Sequence, residues 1–160
     1  MPQFLRTVRQ SRWFVHPAIP WLQPGELQGD AFLDLKTEDN TLSLFEVDHA
    51  ANAERIAIAV AAGRERPDTV DYAVFDGGPL AGLGIRVQQT TGTTADVAIN
   101  GLHYNLHQLT ARQLVDLAAL VSQGTIRRIL GKRVKEMLNE GLMAERLDRA
   151  RMKEELLRQL

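Results

Sequence analysis

The sequence contains no cysteine. Disulfide bonds, thiolate metal sites and cysteine nucleophiles are therefore excluded from its chemistry, and the composition suits a reducing compartment. The first residues carry Arg6, Arg9 and Arg12 where a secretion signal would need an apolar stretch, so no export signal is predicted. We therefore expect a cytoplasmic protein.

Long apolar runs are absent as well. No uncharged apolar segment approaches the length of about 20 residues that crosses a bilayer, so we expect no membrane partner. Aromatic residues make up only 6% of the chain, whereas 44% of the residues are hydrophobic and 24% are charged. The last two proportions are those of an ordinary folded domain, and a chain of this length has room for a real core.

The residues that are present are unevenly distributed. Residues 1–110 carry eight basic and thirteen acidic side chains, whereas residues 111–160 carry eleven basic and seven acidic ones. The first part alternates apolar and polar residues between turn signals, and the second is rich in helix formers. We therefore expect a sheet-containing body over residues 1–109 and a helical segment over residues 110–160, which packs on or extends from the same single domain.

The alternating segments predict the sheet. Residues 31–36 and 41–47 are expected to pair as a hairpin, and residues 85–108 as a meander that turns at Asn100-Gly101. An alanine-rich helix over residues 49–62 is expected to lie close against the sheet, and residues 3–9 to form one or two helical turns. The predicted fold is α+β, with a largely antiparallel sheet of five or six strands, one packed Ala-rich helix and a C-terminal helical arm.

The helical arm is the best clue to function. A capping box at Thr110 and Gln113 opens its first helix, a second is expected from residue 126 and a third over residues 142–160. The third is apolar on two nearly opposite sides, and a single contact with the body cannot bury both. The alternative is that the three helices simply pack as a bundle beside the sheet.

We therefore favour a non-catalytic interaction module or accessory subunit that joins a protein partner or a homo-oligomer through residues 126–160. This function requires no cofactor and no metal. The expected contact residues are Met137, Leu138, Met143, Leu147, Met152, Leu156 and Leu160.

An enzymatic alternative rests on three polar residues. Asp34-Leu-Lys36 has the spacing at which metal-dependent nucleases hold Mg²⁺ with a carboxylate and steady the attacking water with a lysine. Glu46, across the predicted hairpin, would add a carboxylate. This alternative is a metal-dependent hydrolase or nuclease that uses Asp34, Lys36 and Glu46.

A second polar group belongs to the predicted meander. Strand alternation places His103 and His107 on one side, and the expected pairing puts Asp96 diagonal to both. Four residues along a strand span about 13 Å, so the two imidazoles cannot ligate one zinc ion. The group is either an acid–base surface or a solvated sheet face whose residues satisfy one another.

Two further features point to phosphate chemistry. The basic residues Arg127, Arg128, Lys132, Arg133 and Lys135 would lie on the second helix, which makes a nucleic-acid-binding accessory protein the third alternative. The glycine-rich segment 77–84 leads into a predicted strand. Phosphate loops lead into helices, so a connection is favoured there over a nucleotide site.

Overall fold

In a computed structural model, which describes residues 1–14 and 19–160, one antiparallel sheet runs through the molecule. Its order is β4-β5-β2-β1-β3-β6, and every neighbouring pair is antiparallel. The strands are β1 (Gln3–Val8), β2 (Leu42–Val47), β3 (Val70–Asp76), β4 (Arg86–Gln89), β5 (His103–His107) and β6 (Thr125–Ile129). The predicted α+β fold, with a sheet of five or six strands, is confirmed.

Four α-helices and several short 3-10 helices complete the described part. The α-helices are α1 (Ala50–Ala61), α2 (Ala111–Ser122), α3 (Gly131–Met143) and α4 (Glu154–Leu157). The longest 3-10 helix is Gly29–Leu35. No helix among the described residues is long and apolar enough to cross a membrane.

Strand alternation divides the core between the two sides of the sheet. Leu5, Phe45 and Tyr72 belong to the side covered by α1, α3 and α4, which we call the α1 face. Phe4, Leu44 and Phe75 belong to the opposite side, which is covered by the 3-10 helix Gly29–Leu35 and α2 and is called the α2 face. The molecule therefore has two hydrophobic cores separated by one sheet.

The chain connects β2 to β3 through α1. Both strands pair antiparallel with β1, which lies between them, so β2 and β3 run in the same direction. Helix α1 crosses β1 to join them, and its alanines Ala53 and Ala57 are buried against the sheet. The predicted packed Ala-rich helix is confirmed, and its first turn lies beyond the end of β2.

Two predictions for the first part of the chain are wrong. Residues 3–9 do not form helical turns, because Phe4 and Leu5 alternate between the two cores as residues of β1 in the middle of the sheet. Residues 29–35 form a 3-10 helix, so the hairpin with residues 41–47 is absent. The expected turn before β2 does form, since Asp39 and Asn40 adopt positive φ angles of 49° and 58°.

The predicted turn at Asn100-Gly101 is also wrong. Residues Val97–Leu102 form a 3-10 helix, and β5 pairs with β4 and β2. The Asn100 side chain is buried and bonds Thr94 instead: its Oδ1 accepts from the Thr94 backbone N–H at 2.9 Å and from Oγ1 at 2.8 Å. These bonds organise the loop before β5 and replace a hairpin turn.

The C-terminal segment keeps its predicted capping box and the helix that follows it, whereas its second helix begins at Gly131 rather than at residue 126. Thr110 and Gln113 bond each other's backbone at the start of α2, as expected. Residues 125–129 form β6 at the sheet edge, where the β-branched Thr125, Ile126 and Ile129 suit a strand. The chain reverses at Glu145, which has a positive φ of 54°, so no helix covers residues 142–160.

Candidate functional site

The residues expected to contact a partner are mostly inside the protein's own core. Leu138, Leu147, Met152 and Leu156 are buried on the α1 face, and Met137 and Leu160 pack half-buried against them. Met143 alone among these seven residues is exposed, at 86%. The second apolar stripe is therefore covered by the protein's own core. A three-helix bundle does not form, because α2 lies on the opposite side of the sheet from α3 and α4.

The fold-back that buries them depends on close packing at the end of α3. A Cβ on Gly141 would lie 2.8 Å from Cδ1 of Leu147, so glycine allows the returning chain to touch the helix. The Asp148 backbone N–H then donates to the Ala95 carbonyl at 2.8 Å. The end of the chain is tied to the α1 face by these contacts.

The Asp34 carboxylate connects the 3-10 helix Gly29–Leu35 to residues 9–13. Its carboxylate accepts from the Arg9 backbone N–H at 2.9 Å, from Nη1 of Arg12 at 2.7 Å and from Nε1 of Trp13 at 2.7 Å. The predicted hairpin that would have placed Lys36 and Glu46 beside Asp34 does not form. Lys36 is exposed after the end of the 3-10 helix, and Glu46 lies on β2 opposite Phe4. Residues 1–14 and 19–160 contain no cluster of three His, Asp or Glu residues that could hold a metal ion.

The predicted acid–base group of Asp96, His103 and His107 does not form, because Asp96 is separated from the two histidines. His103 and His107 do lie on the same side of β5, but Asp96 is buried in a bidentate pair with Arg55 of α1, at 2.7 and 3.0 Å. Burial lowers the pKa of His103, although a hydrogen bond with the Thr90 backbone opposes this shift. The His103 ring also lies 2.7 Å from Thr90 Oγ1, measured at Nδ1. The Asp96 carboxylate is therefore committed to Arg55, and the strand pairing that would have placed it beside the histidines does not exist.

The five basic residues are split between two elements. Arg127 and Arg128 lie on β6 and point to opposite sides, whereas Lys132, Arg133 and Lys135 lie on α3. Arg128 pairs with Asp71 at 2.7 and 3.0 Å, and Nη1 of Arg133 pairs with Glu140 at 2.9 Å. The prediction of one basic helix over residues 127–135 is wrong.

The glycine-rich segment 77–84 is packed as a connection. A Cβ on Gly77 would lie 2.4 Å from the ring of Phe4, and Gly78–Leu80 form a short 3-10 helix. Glycine is needed here because the aromatic ring approaches the backbone closely.

An open apolar groove lies on the α2 face. It runs between α2 and the segment that leads into the long 3-10 helix, and its volume is about 550 Å³. We call it the α2 groove. Its walls are Gly25, Glu26, Leu27, Phe32, Val115, Ala118, Ala119, Ser122 and Gln123.

The shape of the groove follows from the two sides of α2. Leu117 and Val121 are fully buried against the sheet and anchor the helix. On the outer side, Val115, Ala119 and Ser122 recur at positions i, i+4 and i+7, so one exposed stripe carries small or branched side chains. Because Ala119 and Ser122 are small, the stripe is concave.

Large apolar side chains are exposed around this groove. Phe32 is 38% exposed and Val115 is 57% exposed in its walls. Trp21, at 70%, precedes Gly25 in the same segment, and Leu33, at 57%, follows Phe32. Single exposed apolar residues are ordinary on a protein surface, but apolar side chains grouped around a concave site are typical of contact surfaces.

The charges beside the groove are mainly acidic. Glu26 lines it, and Asp30 and Asp116 lie on its two bordering helices, while Arg112 is the one cation on α2. Within the described part of the chain, none of these three carboxylates enters an ion pair. The groove therefore combines an apolar floor with unneutralised negative charge.

Sequence reasoning missed this site. The stripe of Val115, Ala119 and Ser122 was readable on the predicted helix. The opposite wall comes from residues 25–27 and from Phe32, which belongs to a segment that alternates like a strand and forms a 3-10 helix instead. Comparison with family models, with curated proteins and with solved structures finds no match to this chain, so the site is defined by its geometry.

Proposed function

We propose that this protein is an interaction module or accessory subunit that binds another protein through the α2 groove. The observation that carries the proposal is the presence of two exposed apolar side chains, Phe32 and Val115, in the walls of a concave surface of about 550 Å³. Trp21, in the segment that leads into one wall, is exposed as well. Buried aromatic and aliphatic anchors supply most of the binding energy in protein interfaces. The absence of cysteine supports a reducing compartment such as the cytoplasm as its location.

The chemistry of the groove suggests the kind of partner. An apolar side chain of the partner would fill the space above Ala118 and Ala119, beside Phe32. Lys or Arg residues next to that anchor would face Glu26, Asp30 and Asp116, since complementary charge guides association and selects partners. The occupant is therefore a segment of another protein with apolar anchors and basic flanks.

A matched pair of exposed valines tests this proposal. Val115 in the groove is 57% exposed, and Val97, the first residue of the 3-10 helix Val97–Leu102 on the α1 face, is 56% exposed. We would replace each in turn with a photo-crosslinking amino acid, irradiate the protein in lysate of its source cells and identify the linked peptides by mass spectrometry. The proposal predicts a partner peptide with apolar and basic residues from position 115 and none from position 97.

Three results would contradict the proposal. The same peptides could link from both positions, no protein could link from position 115, or position 115 could link only to a second copy of this chain. In a companion binding measurement with the identified partner, Val115→Asp should weaken binding at least about 10-fold, because it puts a charge in the apolar floor. Val97→Asp should leave binding unchanged.

A further inference from the structure

A second cavity lies on the α1 face, on the opposite side of the sheet from the α2 groove. Its volume is about 570 Å³, and it opens between the first turns of α1 and the strands β1, β3 and β6. We call it the Tyr72 cavity. Its walls are Gln3, Val47, Ala50, Ala51, Ala53, Glu54, Tyr72, Val74, Thr125 and Arg127.

The alanines of α1 explain why space remains here. Ala50, Ala51 and Ala53 occupy the wall at the start of the helix, where longer side chains would fill the gap. The same helix is held close to the sheet further along by Ile56 and Ala57, both fully buried. The cavity therefore results from the order of small and large residues along α1.

Tyr72 is the unusual wall residue. It is only 1% exposed, yet its hydroxyl forms no hydrogen bond to any residue in the described part of the chain. Burial raises the pKa of Tyr72, and the nearby Glu54 raises it further, so the hydroxyl keeps its proton as a donor. Because Tyr72 lines the cavity and its hydroxyl is not sealed inside the core, that hydroxyl can donate a hydrogen bond to a ligand there.

Positive groups lie beside this hydroxyl. Arg127 is directly opposite Tyr72 across the β3–β6 pairing, so both side chains are on the α1 face. The backbone N–H groups of Ala50 and Ala51 open α1, a helix whose N-cap residue His49 provides no side-chain bond. Such a helix start favours anions. Hydrogen-bond donors from Arg127, from Tyr72 and from the start of α1 therefore line the same cavity.

One negative group faces the same space. Glu54 lines the cavity one turn into α1, and neither Glu54 nor Arg127 enters an ion pair with a described residue. We propose that the Tyr72 cavity binds a small zwitterion of the amino-acid or short-peptide class. Its carboxylate is held by Arg127 and the Tyr72 hydroxyl, and its ammonium group is held by Glu54.

Triglycine is a direct probe, and its N-acetylated, C-amidated form lacks both charges but has the same backbone. In amide NMR titrations of the intact protein, triglycine should shift resonances around the cavity and the blocked form should not. Arg127→Gln and Glu54→Gln should each weaken triglycine binding about 10-fold, as expected for loss of one charge-assisted hydrogen bond. Arg112→Gln, on the opposite face, should leave binding unchanged.

Tyr72→Phe provides a test that is independent of the probe. Because the hydroxyl has no partner in the protein, its removal should leave the melting temperature unchanged or raised while weakening triglycine binding several-fold. A lowered melting temperature would mean that the hydroxyl is already bonded, and would overturn the site. Absence of triglycine binding would also overturn it, as would equally tight binding of the blocked peptide or of inorganic phosphate. None of these results bears on the α2 groove.

Discussion

The two faces of the sheet are covered in different ways. On the α1 face, the end of the chain returns after α3 and inserts Leu147, Met152 and Leu156 into the core. On the α2 face, the long 3-10 helix is fastened by polar bonds, with Asp34 at their centre and Nε of Arg6 donating to its carbonyl oxygen at 3.0 Å. Both covers bury apolar side chains, but the 3-10 helix is in addition fastened by directed bonds to Asp34.

The difference shows how one sheet can carry two kinds of surface. Within the 3-10 helix, Ala31 and Leu35 are buried, whereas Phe32, in a wall of the α2 groove, and Leu33 remain exposed. On the α1 face, the returning chain places its large apolar residues inside the core, and the Tyr72 cavity is lined by three alanines, two valines, Tyr72 and polar side chains. The variants below test this contrast from the largest expected effect to the smallest.

Removal of residues 144–160 should have the largest effect. It takes three buried side chains from the α1 face, and loss of each costs about 2–5 kcal/mol. Their sum is comparable to the whole stability of a domain, about 5–15 kcal/mol. We expect the truncated chain to be largely unfolded by circular dichroism. Met143→Ala, at an 86% exposed position, should melt like the wild type. A folded truncated chain would show that the return segment is dispensable.

Asp34→Ala should strongly destabilise the attachment of the 3-10 helix on the α2 face. It leaves Arg12 and the Trp13 indole N–H without their acceptor, and loss of one partner from a buried pair costs about 3–5 kcal/mol. Since Arg12 is partly exposed, we expect the lower end of that range in urea unfolding. Asp30→Ala, on the same 3-10 helix, should change the free energy of unfolding by less than about 0.5 kcal/mol. Equal effects of the two variants would show that the Asp34 bonds are not central to the attachment of the 3-10 helix.

The Asp71–Arg128 pair should make stability depend on pH. Burial raises the pKa of Asp71, but the Arg128 bonds, the Gln10 N–H and the charges of Arg128 and Arg64 outweigh it and hold the pKa below its ordinary value. A carboxyl with a lowered folded pKa stabilises the protein fully above its unfolded pKa of about 3.9. That stability is lost as the pH falls through the folded pKa.

Urea unfolding from neutral pH down to pH about 3 measures this effect. The wild type should lose stability more steeply at the acidic end than Asp71→Asn, which cannot titrate. Asp76→Asn, at the exposed end of the same strand, should keep the wild-type slope. A parallel slope for Asp71→Asn would mean that the pair does not contribute to acid sensitivity.

Patterns that depend on neighbouring residues could be predicted from the sequence. Helix α1, strand β2 and the Thr110–Gln113 capping box are all within a residue or two of their predicted positions, because apolar periodicity and caps act locally. The tight turn at Asp39-Asn40 is also a local feature, since both residue types readily adopt the positive φ angles found there. The fold class and most of the regular elements were therefore accessible.

The remaining elements depend on distant partners. Residues 29–35 alternate like a strand but lie as a 3-10 helix, since Arg6 and Arg12 bind Asp34 from elsewhere in the chain. Residues 125–129 are compatible with a helix and become a strand because β3 offers its free edge. Both candidate binding sites are bordered by one of these elements, and neither could be found by local periodicity.

The smallest expected changes in the free energy of unfolding come from substitution of two glycines, one on each side of the sheet. Gly101, on the α1 face, has an ordinary φ, and an added Cβ would meet nothing within 4 Å. Gly84, on the α2 face, has a φ of +67°, which other residues adopt at a cost. Gly101→Ala should therefore stabilise the protein by about 0.4–1 kcal/mol, because it restricts the unfolded chain. Gly84→Ala should destabilise it by about 1–2 kcal/mol. If urea unfolding instead finds Gly101→Ala destabilising, a turn with positive φ exists at Asn100-Gly101, and the loop is not held by the Asn100 side chain.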